Sequence, residues 1–518
     1  DRSVSRGLGD VYKRQIIYVS ALLLAITPSC DLLDKQPLDQ LATETFWKSE
    51  TDVELALTAC YSMLNNSLMS WDMTTLDAMS DDLYHQHGHY GINALARGII
   101  EPTSGGAVSD IWSYSYKGIA KCNFFLENVD KVEMDETKKN AYKAEVRFLC
   151  AHFYFYLTEF YGGVPIYLAT PTVEEAKTIK RSSKEEVLKV IYDDLDFAIE
   201  HLEDRSYDGH CVKASALALK SRVLLHNEKW ADAAANAKLV IDNPLFGLSE
   251  NYMDIWNADK QEDNPEIIFS VKFLNPDYAQ PFYGADIVFN WWHSTGPLKY
   301  IIDSYECEDG KTIEESPLYD PEHPYDHRDP RLRWCNYVDM DPWYYGQDVL
   351  GDGVKRWRPG FTGGDNAPAT DFLLKKFNNE SYFPISYSTK TDYDAVLIRY
   401  AEVLLMYAEA QNENSGPDQS VYDAVNSVRE RVGMPALPTG LSQTQMRERI
   451  RKERRVELAY EGKRYMDLKR WKIAHEVIPT VVDPSGGSRT FKNPTHYLFP
   501  IPQSEIDINK NLEQNPGY

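Results

Sequence analysis

Apolar residues recur along much of this chain at spacings of three and four, the period of a helix with one buried face. Val53, Leu55, Ala56, Ala59, Cys60, Met63 and Leu64 set the first such run, starting at Thr51. Ile111, Trp112, Tyr116, Ile119, Cys122 and Phe125–Leu126 place a second over 109–130. A third, over 138–160, runs into Gly162-Gly163 with Pro165 shortly after, which is a stop signal. Ser183 and Glu186 form a capping box for a helix reaching about Leu202. Paired helices are then predicted: 212–226 with 229–241, turning at His226-Asn227-Glu228, and 394–413 with 418–432. Ser442 and Gln445 cap a long final helix expected to reach Ile473. Residues 243–390 differ in kind, being rich in Pro, Gly, Asp and aromatics with few helical runs. Short strands at Ile267–Phe273 and Ala285–Phe289 are expected there. Irregular chain carried on a rigid scaffold is where binding residues usually sit.

One helix, Trp230-Ala231-Asp232-Ala233-Ala234-Ala235-Asn236-Ala237, is similar to the small-residue helix of a tetratricopeptide repeat. No clean ~34-residue period runs through the chain. The expected fold is therefore mainly α, a tetratricopeptide-like helix-pair scaffold with an irregular, loop-rich binding region at about 243–390. At the N-terminus, Ile16–Ile26 is an apolar run preceded by Lys13-Arg14 and followed by Thr27-Pro28-Ser29-Cys30. It is shorter than the ~20 residues a spanning helix needs and reads as a secretory signal peptide. The end of this segment resembles a bacterial lipobox, with Thr27 where Leu is commonest. That resemblance implies an acylated Cys30 and a lipid anchor in a membrane. The expected organisation is signal peptide 1–29, lipidated tether 30–47 and one domain over 48–518. The chain opens on Asp1 rather than Met, so residues 1–15 carry no structural reading.

Composition narrows the function classes. Hydrophobic residues make up 43% and charged residues 26%, which excludes collagen, a disordered tail and a disulfide-dense miniprotein. A formal net charge of −24 argues against nucleic acid as a partner, because such a surface repels phosphate. The excess is aromatic, 34 Tyr, 19 Phe and 11 Trp; such an excess usually fills a core, with some rings left over to recognise flat apolar faces. Cys60, Cys122 and Cys150 lie in helical patterns and read as buried thiols. No CxxC or CxxH spacing suggests zinc, and a Cys307–Cys335 bridge is open but not favoured.

In the C-terminal third, Arg454, Glu457, Glu461, Arg464, Asp467 and Arg470 recur every three or four positions with alternating sign. They are expected on one helix stripe as an ion-pair network. An Arg within a turn of each carboxylate should hold it ionised, which disfavours a general-acid role for Glu457, Glu461 or Asp467. This segment, with Arg399 to Ala410 before it and Tyr497-Leu498-Phe499-Pro500-Ile501-Pro502 to Gln514-Asn515-Pro516-Gly517-Tyr518 after it, closely resembles the SusD/RagB family. Arg147 to Ala151, Tyr161 to Pro165 and the opening Cys30-Asp31-Leu32-Leu33-Asp34 resemble it too. The resemblance implies a cell-surface lipoprotein of the outer membrane of Bacteroidota. It implies one α-rich domain that binds a glycan, or another nutrient, without catalysis or cofactor. It also implies a partner, a SusC-like TonB-dependent transporter barrel on which such proteins sit as a lid.

A sugar ring needs a flat aromatic platform and polar side chains for its hydroxyls. Trp291 and Trp292, with Asn290 and His293 beside them and Tyr283 upstream, are the first candidate. Trp71 to Tyr90, with Asp81, Asp82, Tyr84 and His85, is the second, and Trp343-Tyr344-Tyr345 the third. His85, His87 and His89 would share a face if they lay on a strand and could then ligate a metal, but a polar loop is favoured. Asp303, Glu306, Glu308 and Asp309 lack EF-hand spacing and read as a solvated loop. Three other readings stay open: an adaptor whose concave face holds a protein, a non-glycan nutrient binder and a surface glycoside hydrolase. Buried aromatic loops would favour the adaptor. Release of reducing ends would favour the hydrolase.

Overall fold

The computed structural model describes residues 46–280, 284–360 and 367–518. Cys30 and Tyr283 therefore lie outside the described residues. Ten principal helices are α1 (Glu50–Tyr61), α2 (Ala107–Asn128), α3 (Glu136–Tyr161), α4 (Lys184–His201), α5 (Lys213–His226), α6 (Trp230–Ile241), α7 (Tyr400–Ser415), α8 (Gln419–Arg431), α9 (Gln443–Glu457) and α10 (Arg464–Arg470). Each of α2 to α6 packs on the next, α6 then packs on α7, and α7 on both α8 and α9. The amphipathic runs dictate this stack, because each helix can bury its apolar stripe only against a neighbour. Ala233, Ala234 and Ala237 of α6 are buried, and their small size lets the Ser221 hydroxyl of α5 donate to the Ala233 carbonyl at 2.9 Å. The capping boxes at Ser183/Glu186 and Ser442/Gln445 are both formed. Among the described residues no helix is long and apolar enough to cross a membrane.

The strands are few and short: β1 (Leu83–His85), β2 (Ile267–Val271), β3 (Thr295–Pro297), β4 (Asn336–Tyr337), β5 (Pro342–Gln347), β6 (Leu373–Leu374) and β7 (Ala395–Arg399). β2 pairs antiparallel with β7, setting Ile267 opposite Arg399. β1 pairs antiparallel with β3, setting Leu83 opposite Pro297 and His85 opposite Thr295. One hydrophobic cluster runs from Trp47 to Leu512, and a second, smaller one joins Tyr337, Trp343, Trp357 and Leu373. All six cysteines in the described residues are buried free thiols, Cys307 and Cys335 included.

Three sequence expectations are corrected. Ala285–Phe289 is helical, part of a π-helical turn over Asp286–Trp291. The helix expected from 394 begins only at Tyr400, because Ala395–Arg399 is extended and paired with β2. The long final helix stops at Glu457 and restarts at Arg464. Tyr460 and Gly462 lie in the left-handed region at φ 69° and 70°. A Cβ at Gly462 would stand 2.8 Å from the Met73 carbonyl oxygen, so glycine is needed there for conformation and space alike.

The break redirects the charged residues. Arg454 still pairs with Asp467, and Asp467 with Arg470, both at 2.8 Å. Glu457 and Glu461 instead turn to Arg399, at 2.6 and 2.7 Å, and Arg464 reaches Asp81 at 2.8 Å. Arg399 also holds Glu266 at 2.7 Å. Arg331 bridges Asp329, Glu453 and Glu457, Arg431 joins Glu266 and Glu457, and Lys376 joins Glu461. All of these are buried or nearly so. Burial would raise the Glu457 carboxyl, but the Arg431, Arg399 and Arg331 guanidiniums hold it well below the usual carboxylate range. Asp467, which burial would also raise, is held at about 2 by Arg454 and Arg470.

Removing one partner of such a network strands the others in a dry site. Arg399→Met should cost about 3–5 kcal/mol in urea unfolding; a loss below about 1 kcal/mol would show that the remaining cations suffice. A second expectation concerns pH. The folded pKa of Asp467 is depressed, so its stabilisation is present above the unfolded value near 3.8 and is lost as pH falls through about 2. The stability advantage of the wild type over Asp467→Asn should be full above about pH 4 and should shrink between pH 4 and 2. Unfolding midpoints of both proteins across that range check this, and an advantage independent of pH would refute it.

Candidate functional site

The aromatic cluster is built on the π-helical turn. Asp286 fastens it from below: one carboxylate oxygen accepts from the Asn379 N–H and the other from the Thr391 hydroxyl, both at 3.1 Å. Burial pushes that carboxyl up to about 7. Gly284 starts the turn where a Cβ would stand 2.7 Å from the Thr391 side chain, so only glycine lets the two segments close. The wide turn is closed by the Trp292 N–H donating to the Ile287 carbonyl at 2.8 Å. Single π-turns of this kind often mark functional positions. The chain leaves the turn through His293 at φ 47° and enters β3.

Strand pairing then unites two candidates that lie far apart in sequence. The Gln86 N–H donates to the Ser294 carbonyl at 2.8 Å, and the Gln86 side chain donates to the Trp292 carbonyl at 3.2 Å. His85 Nδ1 lies 2.8 Å from the Thr295 hydroxyl, and His87 Nδ1 lies 2.9 Å from the Ser294 hydroxyl. The β1–β3 ladder thus carries the 71–90 segment to the tandem tryptophans.

Trp291 and Trp292 are both partly exposed. The Tyr387 ring stands 4.6 Å from Trp291 and 6.3 Å from Trp292, and Tyr387 is 65% exposed. The His89 ring sits 5.9 Å from Trp292. These rings form a partly exposed aromatic platform. Asn290 is buried beneath it, with its amide nitrogen unpartnered among the described residues.

Other predicted ligand residues turn inward. Trp71 is 5% exposed and packs edge-on against Phe289 at 6.2 Å, so it presents no ring face to solvent. Asp82 is fully buried and accepts from Arg455 Nε at 2.8 Å, tying the strand to α9. His85 is buried too, and that burial, with His89 and His87 nearby, pushes its imidazole down to about 3. Tyr84 is half-buried on β1. In this conformation Trp71, Asp82 and His85 support the platform and offer no direct contact to a ligand. β1 ends at His85, and among the described residues no group of three or more His, Cys, Asp or Glu is arranged to hold a metal.

The third candidate is split. Trp343 is buried in the small cluster, while Tyr344 is 47% exposed and stacks on Phe383 at 5.2 Å and 10°. Tyr345 accepts from the Ile385 N–H at 2.6 Å, which ties β5 to the loop that carries Tyr387. Tyr387 was missed by sequence reasoning. Its only signal is an aromatic residue inside the polar stretch Ser386 to Lys390, which has no hydrophobic period.

Known proteins share this fold. The profile of the SusD family matches residues 255–518, and a profile described as "Starch-binding associating with outer membrane" matches 31–225. SusD-like protein P2 of Formosa agariphila is 27% identical, covering 98% of this chain and 100% of that protein. A crystal structure of a SusD-like carbohydrate binding protein from Bacteroides fragilis aligns with TM-score 0.80 at 29% identity, over 90% of this chain and all of that one. A laminarin binding SusD-like protein aligns with TM-score 0.71 at 26% identity, over 91% of this chain and all of that one. With the SusD profile spanning the entire C-terminal half, from the Trp256 segment to Tyr518, the chain belongs to the SusD family.

Proposed function

We propose that this protein captures a glycan at the cell surface through the Trp291–Tyr387–Trp292 platform and breaks no bond in it. The observation that carries the reading is the clustering of two partly exposed tryptophans with the exposed Tyr387. Flat rings match the C–H faces of pyranose units, and adjacent polar groups take the hydroxyls. Relatives named for carbohydrate and laminarin binding support the ligand class. The outer-membrane association in the N-terminal profile's description supports the location. On this reading Cys30 carries the lipid anchor, and the protein passes the captured oligosaccharide to a SusC-like TonB-dependent barrel. The ion network of α9 and α10 serves structure, since its carboxylates are buried against cations and kept ionised.

A soluble form beginning after Cys30 should be retarded in affinity electrophoresis by one of a panel of plant, host and microbial polysaccharides. Trp291→Ala and Tyr387→Ala should each weaken that binding about tenfold, as expected for loss of a stacking ring. Trp71→Phe, which keeps the buried packing, should leave it unchanged. Retardation that survives both platform substitutions would place the site elsewhere. Absence of retardation by every polymer would move the ligand class away from glycans.

A further inference from the structure

A second recess lies on the helical scaffold and shares no residue with the platform. It has a volume of about 650 Å³ and lies between the start of α4, the α5–α6 turn and the end of α10. Lys184, Lys469, Arg470 and Lys472 line it with His226 and His475, against a single lining carboxylate, Glu228. That balance is the reverse of the chain's, which carries a net charge of −24.

Most of the charges there are already engaged, and two are not. Arg470 is saturated by Glu409 and Asp467. Lys472 pairs with Glu228 at 2.7 Å, and His226 with Glu159 at 2.8 Å. Lys469 is different: it is 7% exposed, and its ammonium donates to the Glu159 backbone carbonyl at 2.8 Å, with no carboxylate within ion-pair distance among the described residues. The rings of Phe160 and Tyr465 flank it at 4.8 and 5.4 Å. Burial pushes this ammonium down to about 8; Glu159 opposes the shift and Lys184 adds to it. Lys184 makes no close ion pair among the described residues, although it and Lys469 both help to hold the buried Glu159 carboxyl low, after His226. It is also the first residue of the 18-residue α4, whose first turn carries Glu185 and the capping Glu186. A buried ammonium with one hydrogen-bond acceptor, near a second lysine that makes no ion pair, is an arrangement that a bound oxyanion would stabilise.

We propose that this recess binds a small organic oxyanion, a carboxylate or sulfate carried on a sugar-sized body. Lys469 and Lys184 take the anionic group. The body fits the volume, which is in the range of small-molecule sites. The polar rim of Asn227, Asn493 and Tyr497 faces its hydroxyls.

Isothermal titration at low ionic strength, where exposed charges are least screened, tests this. The probes are glucuronate, glucose 6-sulfate, glucose and inorganic sulfate, titrated into the soluble protein. At least one acidic sugar should bind and glucose should not. Lys469→Met and, separately, Lys184→Met should each weaken that binding about tenfold or more. Lys184 is only half-buried, so its variant keeps the test valid if Lys469→Met misfolds. Trp291→Ala should leave the acidic-sugar affinity unchanged, which separates this site from the platform. Four outcomes would overturn the proposal: no heat with either acidic sugar, equal binding of glucose, binding of inorganic sulfate alone, or full affinity in Lys184→Met.

Discussion

A guanidinium with no exposed surface must be neutralised by groups that are themselves held in place. Arg399 recruits them from two distant segments, Glu266 just before β2 and Glu457 and Glu461 around the end of α9. Its own position is fixed where β7 gives way to α7. The helical scaffold, the short β2–β7 ribbon and the C-terminal helices therefore converge on one side chain. Apolar residues of the same volume could match a buried ion network in net stability. What they could not match is directionality: a fork of fixed N–H vectors accepts carboxylates in only a few arrangements. That favours one register of β7 against β2 and one placement of the α9–α10 break.

The same C-terminal segment holds up the platform at the other end of the molecule's sequence. The Gly462 N–H donates to Asp77 at 2.9 Å, and the Thr74 hydroxyl donates to the Tyr460 carbonyl at 2.7 Å. Arg455 and Arg464 take Asp82 and Asp81. Arg489 donates to the carbonyls of Ala78 and Leu83. The segment leading into β1 is thus clamped by cations from the last third of the chain, and β1 in turn carries β3 and the tandem tryptophans. Asp82 lies in this clamp, Trp71 packs against Phe289 and His85 meets Thr295 across the β1–β3 pair, so all three face inward.

The helices were legible because each carries its own evidence. The boxes at Ser183 and Ser442 and the alanines of α6 specify local structure without reference to the rest of the chain. The failures share one cause. Ala395–Arg399 is an apolar run too short to show a period, and only its partner Ile267–Val271 makes it a strand. The charged spacing from Arg454 to Arg470 suits one continuous helix, and a left-handed Tyr460-Gly462 turn, packed against Met73 where only glycine fits, interrupts it. Tandem tryptophans in a loop flanked by glycines were conspicuous as a site candidate. Tyr387 was not, because its place beside Trp291 depends on a tertiary approach that no local pattern encodes.

A general acid needs a carboxyl with a raised pKa that reaches the bond to be cleaved. The carboxylates made prominent by the family motif are the opposite case: Glu457, Glu461 and Asp467 are buried against cations that favour the ionised form. Asp286 is raised, to about 7, but it is fully buried and both of its oxygens are engaged by Asn379 and Thr391 under the turn. Its role follows from that position, since it fixes the curvature that presents Trp291. On the proposed reading, rings held by such buried bonds would lose little freedom when a ligand arrives, so more of the stacking energy would remain as affinity. If the rings do take sugar faces, such a platform would gain contact area from successive units, and it would suit capture of an extended chain better than enclosure of a single unit.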